Sequence, residues 1–249
     1  MAGKRLRAFI SYSTKDKLVA AEVKRALSDF GVDSFLAHDD LRVSEEWKKR
    51  ILEELANCDI FVALLSKAFR TSHWASQETG IAFARKTVLI IPISIDRTMP
   101  FGFLSDIEGK KITGRGISSR ILKESLLKRF PRQVIAQLVA RVEQARSFRG
   151  AEAVVEPLVD VFSLFTKYEA NRFATATVNN NQVWSASLCR SKYLPAFLKV
   201  HRKNIRPKTM KALEYQVKHD KPFPGWRSNT RMQLAARIGA PDLSPVRRS

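Results

Sequence analysis

The chain has 249 residues, 45% of them hydrophobic, which is enough for one large domain or for a medium domain and a smaller one. Lys and Arg outnumber Asp and Glu by 44 to 24, a formal net charge of +20 that favours nucleic acid, acidic membrane surface or phosphorylated ligands, with a well-solvated basic exterior as the plain alternative. The two cysteines, Cys58 and Cys189, each lack a nearby Cys or His pair, which excludes a zinc motif and a disulfide framework and fits a reducing compartment.

The opening run "MAGKRLRAFISYS" is basic, but its apolar part is too short for a signal peptide, and no run approaches the length of a membrane span. A soluble, cytoplasmic protein is expected. "LRAFIS" (6–11) reads as a first strand. An amphipathic helix over 14–31 follows, with Leu18, Val19, Val23, Ala26, Leu27 and Phe30 on its apolar face and Gly31 at its end. "VDSFLA" (32–37) is a short second strand. The polar loop "HDDLRVS" (38–44) leads to a helix over 45–58, with Ser44 as N-cap and two glutamates in its first turn.

"DIFVALLS" (59–66) and "VLIIPISI" (88–95) are nearly all apolar, as strands covered on both faces must be. Between them, Ser72 caps a helix in which Trp74, Glu78, Ile81 and Ala82 share one face. A carboxylate thus sits in a stripe that should be apolar. "EGKKIT" (108–113) is the fifth strand and 131–147 a closing helix. Strands alternating with helices imply a parallel sheet wound on both sides.

After residue 148 the pattern becomes helical and more basic. Residues 146–249 hold 19 Lys and Arg and 7 Asp and Glu. "EPLVDVFSLFTKYEANRF" places Leu158, Val161, Phe162, Phe165 and Tyr168 at helical spacing, with Pro157 in the first turn. "ATATVNNNQ" (174–182) reads as a polar stretch, and "PKTMKALEYQVKHD" and "SNTRMQLAARIGAP" as two short helices, the second stopped by Gly239 and Pro241. Domains are expected over 1–148 and 149–249. The basic residues of the second are interleaved with Tyr193, Phe197, Tyr215, Phe223 and Trp226. Nucleic-acid binding uses such a mixture; core aromatics under a charged exterior are the plainer reading.

Three common users of a wound sheet fail on the residues that carry their chemistry. No glycine-rich dinucleotide turn follows the first strand, which reads "SYSTKDK", and no phosphate-gripping G-x-x-x-x-G-K-[ST] loop occurs. The strand ends "FISYS" and "VALLSK" lack the clustered carboxylates of a phospho-receiver domain. A fourth comparison succeeds. "RAFISYSTKDK", "GVDSFLAHDDLRVSEEWKKRILEELANCDIFVALLSKAF", "SHWASQETGIA" and "VLIIPISID" resemble, in order and spacing, the successive boxes of a TIR (Toll/interleukin-1 receptor) domain, with Pro100-Phe101-Gly102-Phe103 similar to a turn of the bacterial branch.

That resemblance covers about residues 5–147 and implies a flavodoxin-like five-stranded sheet. It also implies one of two roles: assembly through TIR–TIR contacts, or cleavage of NAD+ to nicotinamide and linear or cyclised ADP-ribose in signalling or bacterial defence. NAD+ is then a substrate, and neither a cofactor nor a metal is expected. The enzymatic members carry a glutamate four residues past a tryptophan on the helix after strand three, which maps to Trp74 and Glu78. Glu78 is the candidate catalytic residue, and Trp74, Tyr12, Ser13 and Asp39 are candidate substrate contacts. The loop residues His38, Asp40, Leu41 and Arg42 correspond to an assembly surface of the family. The residues themselves leave alternatives open. Glu78 could pair with Arg85 or Lys86, Trp74 could be a core-edge aromatic, and Tyr12 and Ser13 could serve a helix cap.

Overall fold

The structure, a computed structural model, describes residues 5–37, 45–112 and 120–226. The backbone divides into two compact units, Met1–Leu138 and Val139–Ser249. Candidate residues His38, Asp39, Asp40, Leu41 and Arg42, the cap Ser44 and the expected helix over 228–241 lie outside the described residues.

The first unit is an α/β sandwich. Strands β1 (Arg7–Ser11), β2 (Asp33–Leu36), β3 (Ile60–Leu65), β4 (Leu89–Ser94) and β5 (Lys110–Lys111) form one sheet in the order β2-β1-β3-β4-β5, every pairing parallel. This is the flavodoxin-like order, with its switch point between β1 and β3. All six residues of β3 are buried, so both faces of the sheet centre are covered. Phe9 sits in register with Phe35 and Phe61, and its ring stacks on Phe61 at 5.8 Å. Trp47 extends this row over Phe35.

Helices α1 (Lys17–Ser28), α2 (Glu45–Asn57), α3 (Lys67–Arg70) and α4 (His73–Ala84) connect the strands, α5 (Arg120–Arg129) follows them, and α6 (Pro131–Gln144) begins in this unit and ends in the second. Several expectations need correction. A single 3-10 turn, Thr14–Asp16, precedes α1, because the side chain of Ser13 accepts from the Lys15 N–H and starts a tighter turn there. Leu18 is 84% exposed, since α1 buries Ala20, Val23, Ala26 and Leu27, a face that leaves position 18 outside. Helices α3 and α5 are additions to the expected elements; in α5, Leu122 and Leu126 stand at i, i+4 and both are buried. Among the described residues of the expected strand 108–113, β5 is Lys110 and Lys111 alone, in register with Ile93 and Ser94. Gly31 has φ +71°, and a Cβ there would lie 2.8 Å from Gln137 Cγ of α6, so both backbone and space demand glycine.

The second unit is helical, with α7 (Phe148–Val159), α8 (Lys167–Asn179), α9 (Asn181–Trp184), α10 (Leu194–His201) and α11 (Pro207–His219). The segment 156–173 is not one helix. Pro157 falls in the last turn of α7, a 3-10 turn spans Phe162–Leu164, and α8 restarts with a capping box between Thr166 and Glu169. Tyr168 is therefore 73% exposed, while Phe162, Phe165, Phe173 and Phe197 pack together in the core. The stretch 174–182 is mostly helix: Ala174, Ala176, Thr177 and Val178 are buried on α8, so its polar look hides a small-residue packing face. Within the same core His201 places Nε2 2.6 Å from the Phe162 carbonyl, and Asn204 Nδ2 lies 3.2 Å from Nδ1. Among the described residues no helix is long and apolar enough to cross a membrane.

Candidate functional site

The C-terminal edge of the sheet, where open α/β sheets bind ligands, is tied together by side chains from successive loops. Ser66, just after β3, donates to Asp16 Oδ2 at 2.7 Å, which links the loops that follow β1 and β3. Its oxygen also accepts from the Phe69 N–H and caps α3. Asp96, after β4, accepts from the Lys67 N–H at 2.8 Å and from the Thr98 hydroxyl. Those donors, the Thr98 hydroxyl foremost, hold its carboxyl below the usual range.

Helix α4 starts in this frame. Ser72 accepts from the Ala75 N–H and fixes the first turn, as the sequence suggested. The buried face is Ala75, Glu78, Thr79 and Ala82. Ile81 is 37% exposed and does not share it, a correction that follows from its 100° offset per residue around the helix. Trp74 is half-buried, one turn before Glu78.

Glu78 is 1% exposed, with its carboxyl at the β1/β3 switch point. Ser11, the last residue of β1, donates its hydroxyl to Glu78 Oε2 at 2.5 Å. Oε1 is buried and has no hydrogen-bond partner among the described residues. Burial raises the carboxyl from 4.5 to about 7, and the Ser11 hydrogen bond opposes that rise only in part. The ion pair with Arg85 does not form: that guanidinium donates to the Leu55 carbonyl and to Cys58 Sγ, so it serves the far end of α2. Cys58 is a buried, packed thiol whose pKa burial pushes up.

Tyr12 is fully buried beside Ser11, and Ser13 is half-buried in its capping role. Ser11, the residue just before the candidates Tyr12 and Ser13, is not marked by the sequence as a partner of Glu78. The strand alternation at residues 7–11 held the only hint, since Phe9 and Ser11 point to one side and a hydroxyl there faces the covered core. Among the described residues no cluster of three or more His, Cys, Asp or Glu is placed to hold a metal ion.

No curated protein matches the chain. Residues 8–120 match the family model of the TIR domain, a signalling module, and the five-stranded parallel sheet described above, Arg7 apart, lies within them.

Proposed function

We propose that the TIR domain cleaves NAD+ between nicotinamide and ribose, with Glu78 stabilising the charge that develops on the sugar. The observation that carries this reading is the buried carboxylate with one unpartnered oxygen at the ligand-binding edge of the sheet. A fold rarely retains such a group for stability, because desolvating it costs free energy. The chemistry suits a single carboxylate. The C1′–N1 bond breaks and its electron pair leaves with nicotinamide, which departs neutral because it was a pyridinium. Positive charge remains on the ribose, and a carboxylate in a water-poor site stabilises it. Water then adds at C1′ and releases a proton, giving ADP-ribose; adenine adding instead gives a cyclised product. A carboxyl with a pKa of about 7 can hold that proton. Trp74, one turn away, is the aromatic surface for nicotinamide or adenine.

Substrate must reach a carboxyl that is sealed in the single chain. Assembly of TIR domains is therefore part of the reading: a second copy opens and completes the edge, and the loop 38–44 is its contact. An exposed aromatic pair supports self-association as well. Phe83 of α4 and Phe103 stack at 5.0 Å on the surface, 43% and 62% exposed. The test is nicotinamide release by the whole protein across a dilution series, with light scattering in parallel. Release that rises more than linearly with concentration and disappears in Glu78→Gln is expected. A protein that assembles normally and releases nothing is a scaffold, and the cleavage reading then fails.

A further inference from the structure

The structure separates the aromatics of the basic C-terminal unit into two sets. Tyr193 and Phe197 are buried in its core, which settles them as packing residues. Tyr215, Phe223 and Trp226 are half-buried and lie together along the outside of α11. After α11, Asp220 takes the left-handed conformation at φ 52° and turns the chain back. Phe223 then packs edge-on against Tyr215 at 5.5 Å, and Trp226 reaches Lys208 near the helix start, with the ammonium 5.8 Å from the ring centre. The Trp226 indole N–H donates to Asn179 at 2.8 Å and anchors this return.

The same face carries charge. Lys208, Lys211 and Lys218 fall on the side of α11 opposite to the buried Thr209, Met210, Ala212, Leu213 and Gln216, and Lys221 follows in the turn; all four lysines are exposed. Residues 199–226 hold eight Lys and Arg and two acids, and both acids are already engaged: Glu214 with Arg202 at 2.5 Å and Asp220 with Arg190 at 3.1 Å. Among the described residues none of the four lysines has an ion-pair partner. Four unneutralised cations in a row, spread over about 15 Å from Lys208 to Lys218 on helical rise alone, are interleaved with three partly open rings.

We infer that this face of α11 and the returning segment bind single-stranded nucleic acid, its phosphates on Lys208, Lys211, Lys218 and Lys221 and its bases stacked on Tyr215, Phe223 and Trp226. Unpaired bases are what such rings take up; in a duplex the base faces are hidden. Base stacking and phosphate contact do not involve the 2′-hydroxyl, so DNA and RNA are expected to bind alike.

The experiment is fluorescence anisotropy of the whole protein with labelled oligothymidylate and oligouridylate of about 15 nucleotides. Affinity in the range of about 1–100 µM is expected for both. With roughly −0.7 in log–log slope per phosphate contacted, four lysines predict a slope of about −3, hence about 50-fold weaker binding between about 50 and 200 mM salt. The exposed triple variant Lys208→Gln/Lys211→Gln/Lys218→Gln should flatten the slope to about −0.7. Tyr215→Leu/Phe223→Leu should weaken binding at least several-fold with the slope unchanged. No binding to either strand, equal or tighter binding of duplex, or an unaltered slope in the lysine variant overturns the inference. So does equal binding to phosphatidylserine vesicles or polyphosphate, which would reduce the face to a simple cation patch.

Discussion

Replacing Glu78 by glutamine should remove the loss of stability that the parent suffers as pH rises, along with its proposed chemistry. The side chain is 1% exposed, and its carboxyl is raised from 4.5 to about 7 by burial. Between those values the folded chain holds a proton that the unfolded chain has lost, so stability falls as pH rises through this window. Above pH 7 the full difference has been paid, about 3 kcal/mol at 1.36 kcal/mol per unit. Glutamine keeps the shape and the acceptor for Ser11 but never ionises. Its amide adds a buried donor, a cost that does not vary with pH. The quantity to measure is therefore the stability difference between variant and parent at two pH values. It should grow in favour of the variant by roughly 2–3 kcal/mol from about pH 5 to about pH 8. That corresponds to about 5–10 °C in the unfolding midpoint of the TIR domain. Near-ultraviolet circular dichroism during thermal unfolding, with nicotinamide release on the same samples, provides both readings. Parallel pH profiles for the two proteins would refute the raised carboxyl, and with it the argument that the fold tolerates a buried ionisable group for function.

Ser11→Ala removes the hydroxyl that favours the charged carboxylate, so Glu78 should titrate higher still. The acid limb of nicotinamide release against pH should move up and kcat should fall with KM little changed; an unmoved limb would make Ser11 a packing residue. Trp74→Ala should alter the ratio of cyclised to linear ADP-ribose more than it alters KM, as chromatography of the products would show. Gly31→Ala should cost about 1–3 kcal/mol in urea unfolding, because the backbone there is left-handed and a Cβ meets Gln137 at 2.8 Å; a loss under 0.5 kcal/mol, roughly the size of an ordinary surface change, would show that α6 yields easily.

Much of this protein is legible along the chain because its signals are local. Six consecutive apolar residues at 60–65 mark a strand covered on both faces, and β3 is that strand. Ser72 before a helical pattern marks the start of α4, and a glutamate in the same helix stripe as Ala82 is visible as an anomaly without coordinates. The sequence of TIR-like boxes, read in order, already selected the five-stranded parallel sheet. Local pattern also misled where tertiary packing decided which face is inside. Leu18 fits an apolar stripe by spacing, yet α1 docks on Ala20, Val23 and Leu27 and leaves it in water. The segment 156–173 fits one helix by spacing, yet the Phe162–Leu164 turn breaks it so that four phenylalanines can meet in one core.

The partner of Glu78 shows the same divide most directly. Ser11 and Glu78 are 67 residues apart, and neither residue type predicts the other. Parallel pairing of β1 with β3 brings the end of β1 beside the helix that follows β3, and only then does a hydroxyl meet a carboxyl in a buried site. The sequence alone determined that a carboxylate would lie on the buried side of α4. The fold decided that the carboxylate would have, among the described residues, one donor to Oε2 and none to Oε1, because burial and long-range pairing arise from strand order rather than from neighbours in the chain.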